Sequence, residues 1–62
     1  PAQTSVRLNL ANVLIRLRRF DEARKQLDAV FEIEPKNEVG RSLMVQLEAV
    51  QAEPFITDKQ RR

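Results

Sequence analysis

Sixty-two residues with 11 Lys+Arg against 9 Asp+Glu, a formal net charge of +2, make room for one small domain and give no charge signature of a nucleic-acid binder. The chain has neither Cys nor His. That excludes disulfides and thiolate metal sites and removes the commonest metal ligand and general base. A chain of this size buries only about 60% of its unfolded surface. Without such staples, its stability has to come from idealised helix packing, self-association or neighbouring units in a longer chain.

Composition points to helix. There is one Gly and no Tyr or Trp, and Ala, Leu, Val, Arg, Glu and Gln dominate, a mix that favours helix over sheet. The longest apolar run is Val13-Leu14-Ile15, far short of the ~20 apolar residues that span a bilayer, so no membrane insertion is expected. Absence of Cys fits a soluble protein of a reducing compartment such as the cytoplasm, and is equally at home in a periplasm. No signal-peptide pattern is present, and Pro1 is not an initiator Met, which is compatible with a piece cut from a longer chain.

The first apolar pattern is Val6, Leu10, Val13, Leu14 and Leu17. Its spacing follows a helical period and places one wide stripe on one face, where a core is expected. Thr4 or Ser5 is the expected cap of this first helix. Leu17-Arg18-Arg19-Phe20-Asp21 interrupts the pattern, and Asp21 is the expected N-cap of a second helix, with Glu22 near its positive dipole end.

The second helix carries Ala23, Leu27, Val30 and Phe31 and is expected to stop near Glu34, because Pro35 disfavours helical geometry in the residue before it. Pro35-Lys36-Asn37 forms a turn, and Asn37 is the expected cap of a third helix bearing Val39, Leu43, Met44, Leu47 and Val50. Gly40 in its first turn costs up to about 1 kcal/mol relative to Ala and offers a place for a neighbour to come close. Pro54 is the expected stop. Beyond it, Phe55-Ile56 is expected to fold back onto apolar surface, and residues 57–62 to fray. Short connections imply antiparallel neighbours. The expected organisation is an all-α domain over residues 1–53 and a tail over 54–62.

The run Asn12-Val13-Leu14, then Phe20-Asp21-Glu22-Ala23-Arg24, then Leu27, Val30-Phe31, Ile33, Pro35 and Asn37 resembles one tetratricopeptide repeat. That family builds a helix–turn–helix unit of roughly 34 residues. The resemblance covers residues 4–37. It puts Ala11 where the family usually has Gly, Ala23 at the small residue opening the second helix, Phe20 at the bulky residue before it and Pro35 at the terminal proline. Arg7 departs from a frequent aromatic, and Arg18 from a Gly common in the turn. One repeat further on, Leu10 maps to Met44, Ala11 to Val45 and Val13 to Leu47, though Leu14 maps to Glu48 and Ala23 to Thr57. The third helix, residues 38–53, therefore resembles the first helix of a following repeat, a fragment of an α-α superhelix. An unrelated three-helix bundle would share the apolar spacing; the run around Asp21-Glu22-Ala23 and the proline favour the repeat.

No catalytic constellation stands out. Ser5 and Ser42 have no His to activate them, and Lys25, Lys36 and Lys59 have no visible desolvating context. Asp21/Glu22 and Glu32/Glu34 are too close in sequence to face each other on a helix, and a lone Gly40 makes no phosphate loop. The expectation is a protein without enzymatic activity, cofactor or metal.

A binding surface is easier to argue. The resemblance implies that the first helix lines a groove, which nominates Ser5, Leu8, Asn9, Asn12, Ile15 and Arg16 as a contact surface for a peptide or protein. Asn9, Asn12 and Arg16 are contiguous on a helix; amides bond extended backbone, and Arg16 suits a carboxylate. Asn9 and Asn12 coincide with places where chaperone-binding family members hold a terminal carboxylate, but Leu8 replaces the basic residue of that clamp and Leu43 stands at the matching polar place. The same row also reads as an ordinary solvated face. Val39, Leu43, Met44, Leu47 and Val50, with Val45, are more apolar than one face needs, which nominates the third helix for self-association or docking.

Three functions compete. They are a protein-interaction module, a homo-oligomerisation or array-capping unit, and a basic helical nucleic-acid binder using Arg16, Arg18, Arg19, Arg24 and Lys25. The last is weakest, because no aromatic stacking platform accompanies those charges.

Overall fold

The structure, a computed structural model, describes residues 2–53. It is all-α: α1 (Ala2–Arg16), α2 (Phe20–Ile33) and α3 (Glu38–Ala52). α1 and α2 form an antiparallel hairpin, and α3 packs on both. The expectations for Pro54, Phe55-Ile56 and residues 57–62 lie outside the described residues.

The hairpin closes on small residues. Ala11 of α1 and Ala23 of α2 are both fully buried, and side chains of this size let two helices approach closely. Leu14, Ile15, Leu27 and Leu47 complete the cluster, with Leu8, Phe20, Phe31, Leu43, Met44 and Val50 packed around it. Each large side chain taken fully out of water stabilises by roughly 1.5–3 kcal/mol, so the few large ones here carry most of the fold.

The first helix turns a different face inward from the one expected. Of the stripe Val6, Leu10, Val13, Leu14 and Leu17, only Leu14 is buried; the other four are 42% to 64% exposed. The buried row is Thr4, Leu8, Ala11 and Ile15, with Ile15 at 1% exposure and Leu8 half-buried. α1 carries two rows at helical spacing, and the hairpin uses the one containing Ala11. Close approach opposite Ala23 favours that small residue over a row made only of Val and Leu.

The caps divide likewise. Thr4 lies within α1, not at its start, and its buried hydroxyl is 3.5 Å from Glu34 Oε2, the outer limit of a hydrogen bond. α2 begins before Asp21, at Phe20; its N-cap is Arg19, without a side-chain cap bond. Asp21 and Glu22 occupy the first turn, where the helix dipole favours them, and Glu22 pairs with Arg19 Nε at 2.6 Å. Asn37 caps α3 as expected: its Oδ1 accepts from Gly40 N–H at 2.7 Å, while its Nδ2 donates to Glu34 Oε1 at 2.7 Å.

Between α1 and α2 the chain reverses on a residue with positive φ. Arg18 has φ 61°, Arg18 N–H donates to Ile15 O, and Arg19 N–H donates to Leu14 O. That pair of bonds is a Schellman ending, whose left-handed position glycine usually fills. The Arg18 guanidinium sits 5.3 Å above the Phe20 ring centroid.

Candidate interaction surfaces

Once the hairpin and α3 have taken the inward row, α1 presents two further rows outward. One is polar: Ser5, Asn9, Asn12 and Arg16, spaced four, three and four residues apart and so contiguous on the helix. Ser5, Asn9 and Arg16 are exposed and Asn12 is half-buried. Among the described residues, none of these four side chains makes a hydrogen bond or ion pair. The other two residues assigned to this surface lie elsewhere. Ile15 is in the core, and Leu8 is half-buried against it. Their spacing from Asn12 suits either face; only the choice of the Ala11 row decides that they point inward.

The second outward row is aliphatic: Val6, Leu10, Val13 and Leu17. Part of it lines a shallow groove of about 380 Å³ with Gln3, Arg7 and Gln26. Sequence reasoning placed this row in the core. The signal that would have found it is Ala11, which marks the close-packed row.

α3 uses its apolar residues differently from the expected docking surface. Leu47 is fully buried, and Leu43, Met44 and Val50 are half-buried against the core. Of the five residues nominated there, Val39 alone is exposed; Val45 is exposed as well. The outward side of α3 carries an open groove of about 510 Å³ lined by Glu38, Arg41, Ser42 and Val45.

Polar ties lace the rims. Arg7 Nη1 donates to Gln26 Oε1 at 3.0 Å, joining α1 to α2 at the position where an aromatic residue was the commoner choice. Arg24 joins α2 to α3: its Nη2 donates to Gln51 Oε1 at 2.9 Å, and its Nη1 lies 3.6 Å from Met44 Sδ and 3.9 Å from Glu48 Oε2. Pairs this exposed contribute at most about 1 kcal/mol, so they register the helices more than they stabilise them.

Ser42 shares its groove with Glu38 and Arg41. Among the described residues no group of three His, Cys, Asp or Glu side chains is placed to hold a metal ion. No described helix is long and apolar enough to cross a membrane. Arg16, Arg18 and Arg19 are exposed together at the α1–α2 corner, but Arg19 is paired with Glu22.

The family model described as tetratricopeptide repeat matches residues 1–47. No curated protein and no solved structure matches the chain.

Proposed function

Because the chain belongs to the tetratricopeptide-repeat family, we propose that it is a non-catalytic protein-interaction module that holds an extended peptide along α1. The observation that carries this reading is the outward row Ser5, Asn9, Asn12 and Arg16. Its polar groups have no partner among the described residues, although they stand side by side on one rigid helix. Two amides offer both donors and acceptors to a peptide backbone, and a guanidinium offers a planar fork to a carboxylate. A site on a helix is held in place by the fold beneath it, here by Ala11 and Ile15.

A full terminal-carboxylate clamp is not part of the proposal, since Leu8 turns toward the core and brings no charge. The peptide expected is extended and acidic, bound mainly through its backbone and one side-chain carboxylate.

The test is titration of an acidic decapeptide, and of its Glu-to-Gln counterpart, into the chain and into an Asn12→Ala/Arg16→Ala variant. The acidic peptide should bind more tightly than the neutral one, and the double variant should lose tenfold or more, as expected for about 1.4 kcal/mol or more of lost interaction. Equal binding by the variant and the parent chain would remove the groove assignment.

A further inference from the structure

Met44 is the single methionine of a chain that has no Cys, His, Tyr or Trp. A peroxide therefore meets one readily oxidised side chain, and that side chain stands where α3 joins α2. Met44 is half-buried and packs against the core cluster.

Its sulfur does not face hydrocarbon alone. Arg24 Nη1 donates to Met44 Sδ at 3.6 Å, and a thioether is a weak acceptor. The guanidinium is anchored by its other nitrogen, Nη2, which donates to Gln51 Oε1 at 2.9 Å. Among the described residues Nη1 reaches no oxygen within hydrogen-bond distance, Glu48 Oε2 being 3.9 Å away. The Arg24 side chain is 38% exposed, which leaves it room to follow a change at the sulfur.

Oxidation alters this contact in a defined direction. A sulfur lone pair attacks one oxygen of hydrogen peroxide, the O–O bond breaks, and the proton of the transferred oxygen leaves with the departing hydroxide as water. The sulfur loses the electron pair that the peroxide gains, and a sulfoxide results. A half-buried polar oxygen without a partner is costly, and this oxidation commonly disrupts apolar packing. Here a cationic N–H already faces the sulfur, and a charge-assisted bond to oxygen is stronger than one between neutral groups.

From this we infer that Met44 is an oxidation site whose sulfoxide is received by Arg24, so that α3 stays seated on the hairpin after the chain meets peroxide. Arg24 converts a change that would loosen the α2–α3 join into one that the join accommodates. Reductases return the sulfoxide to the thioether, so the mark is reversible. The inference involves neither outward row of α1 and stands or falls separately from peptide binding.

Dilute hydrogen peroxide should add one oxygen atom to the folded chain, read by intact mass and placed on Met44 by fragmentation. The Met44→Leu chain should gain none. The oxidised parent is expected to melt within about 2 °C of the unoxidised parent, whereas oxidation should lower the Arg24→Leu chain by about 5 °C or more. Hydrogen exchange of the Arg24 guanidinium, followed by NMR, needs no variant: oxidation should slow it severalfold and leave that of Arg19 unchanged. Equal melting shifts in the parent and the Arg24→Leu chain, or an unchanged Arg24 exchange rate, would overturn the inference. So would a folded chain that stays unmodified under conditions that fully oxidise the urea-unfolded chain.

Discussion

Phe31 lays the edge of its ring over Gly40: a Cβ on that glycine would stand 3.0 Å from Cε1 and 3.3 Å from Cζ. The glycine thus makes room for the Phe31 ring of α2 against the backbone of α3. Gly40→Ala sets a helix-propensity gain of up to about 1 kcal/mol against overpacking that typically costs about 1–3 kcal/mol. A net loss of about 0.5–1 kcal/mol is expected by urea unfolding. In a Phe31→Leu background the ring edge is gone, and the same substitution should become neutral or stabilising. A loss of equal size in both backgrounds would show that the ring is not what excludes the methyl.

Arg18 holds the left-handed position of the α1 ending with a side chain where glycine would be unstrained. The conformation costs roughly 1–2 kcal/mol for a residue with a Cβ, and its contact with Phe20 returns about 0.5–1 kcal/mol at an exposed site. Arg18→Gly should therefore raise stability slightly, by about 0.5 kcal/mol. Arg18→Ala keeps the strain, loses the ring contact and should lower stability by a similar amount. Opposite signs for the two variants in chemical denaturation are the outcome to look for.

The choice of face on α1 can be read from two neighbouring positions. Ile15→Ala removes a buried side chain and should cost about 2–5 kcal/mol, enough to unfold a domain this small at room temperature. Val13→Ala, on the outward row, should stay within about 0.5 kcal/mol. Circular dichroism at 222 nm with thermal melts separates the two. A Val13 effect as large as that of Ile15 would return the core to the row the periodicity first suggested.

The two helix starts make a matched comparison. Asn37→Ala deletes a side-chain cap and should cost about 1 kcal/mol. Asp21→Ala deletes only a charge near the dipole, worth about 0.3–1 kcal/mol and reduced by salt. Melting both variants at low and high ionic strength should show salt dependence for Asp21 and little for Asn37.

Most of the fold could be read before the structure: three helices, their approximate bounds, Pro35 as a stop and Asn37 as a cap all follow from local chemistry. Which row of α1 faces inward could not be read from periodicity, because both rows satisfy the helical period. The deciding quantity is how closely α1 and α2 approach, and it depends on Ala23 as much as on Ala11. The same ambiguity moved Ile15 from the contact surface into the core and Val6, Leu10, Val13 and Leu17 from the core to the outside. For α3, the apolar excess looked like a surface because its cover, the side of the hairpin formed by Phe31 and Arg24, comes from the preceding helix. The polar row Ser5, Asn9, Asn12 and Arg16 was legible, since it stays outward under either choice.

Leu47 is the one large α3 side chain among the described residues that is wholly enclosed. The hairpin beneath it closes over a three-residue turn and assembles from contacts near in sequence, whereas α3 adds one deep knob, the half-buried Leu43, Met44 and Val50, and a rim of polar ties. A seam accordingly runs between the hairpin and α3. Detaching α3 would leave Ala11 and Ala23 within the hairpin and take Leu47 out of the cluster it shares with Ile15 and Leu27.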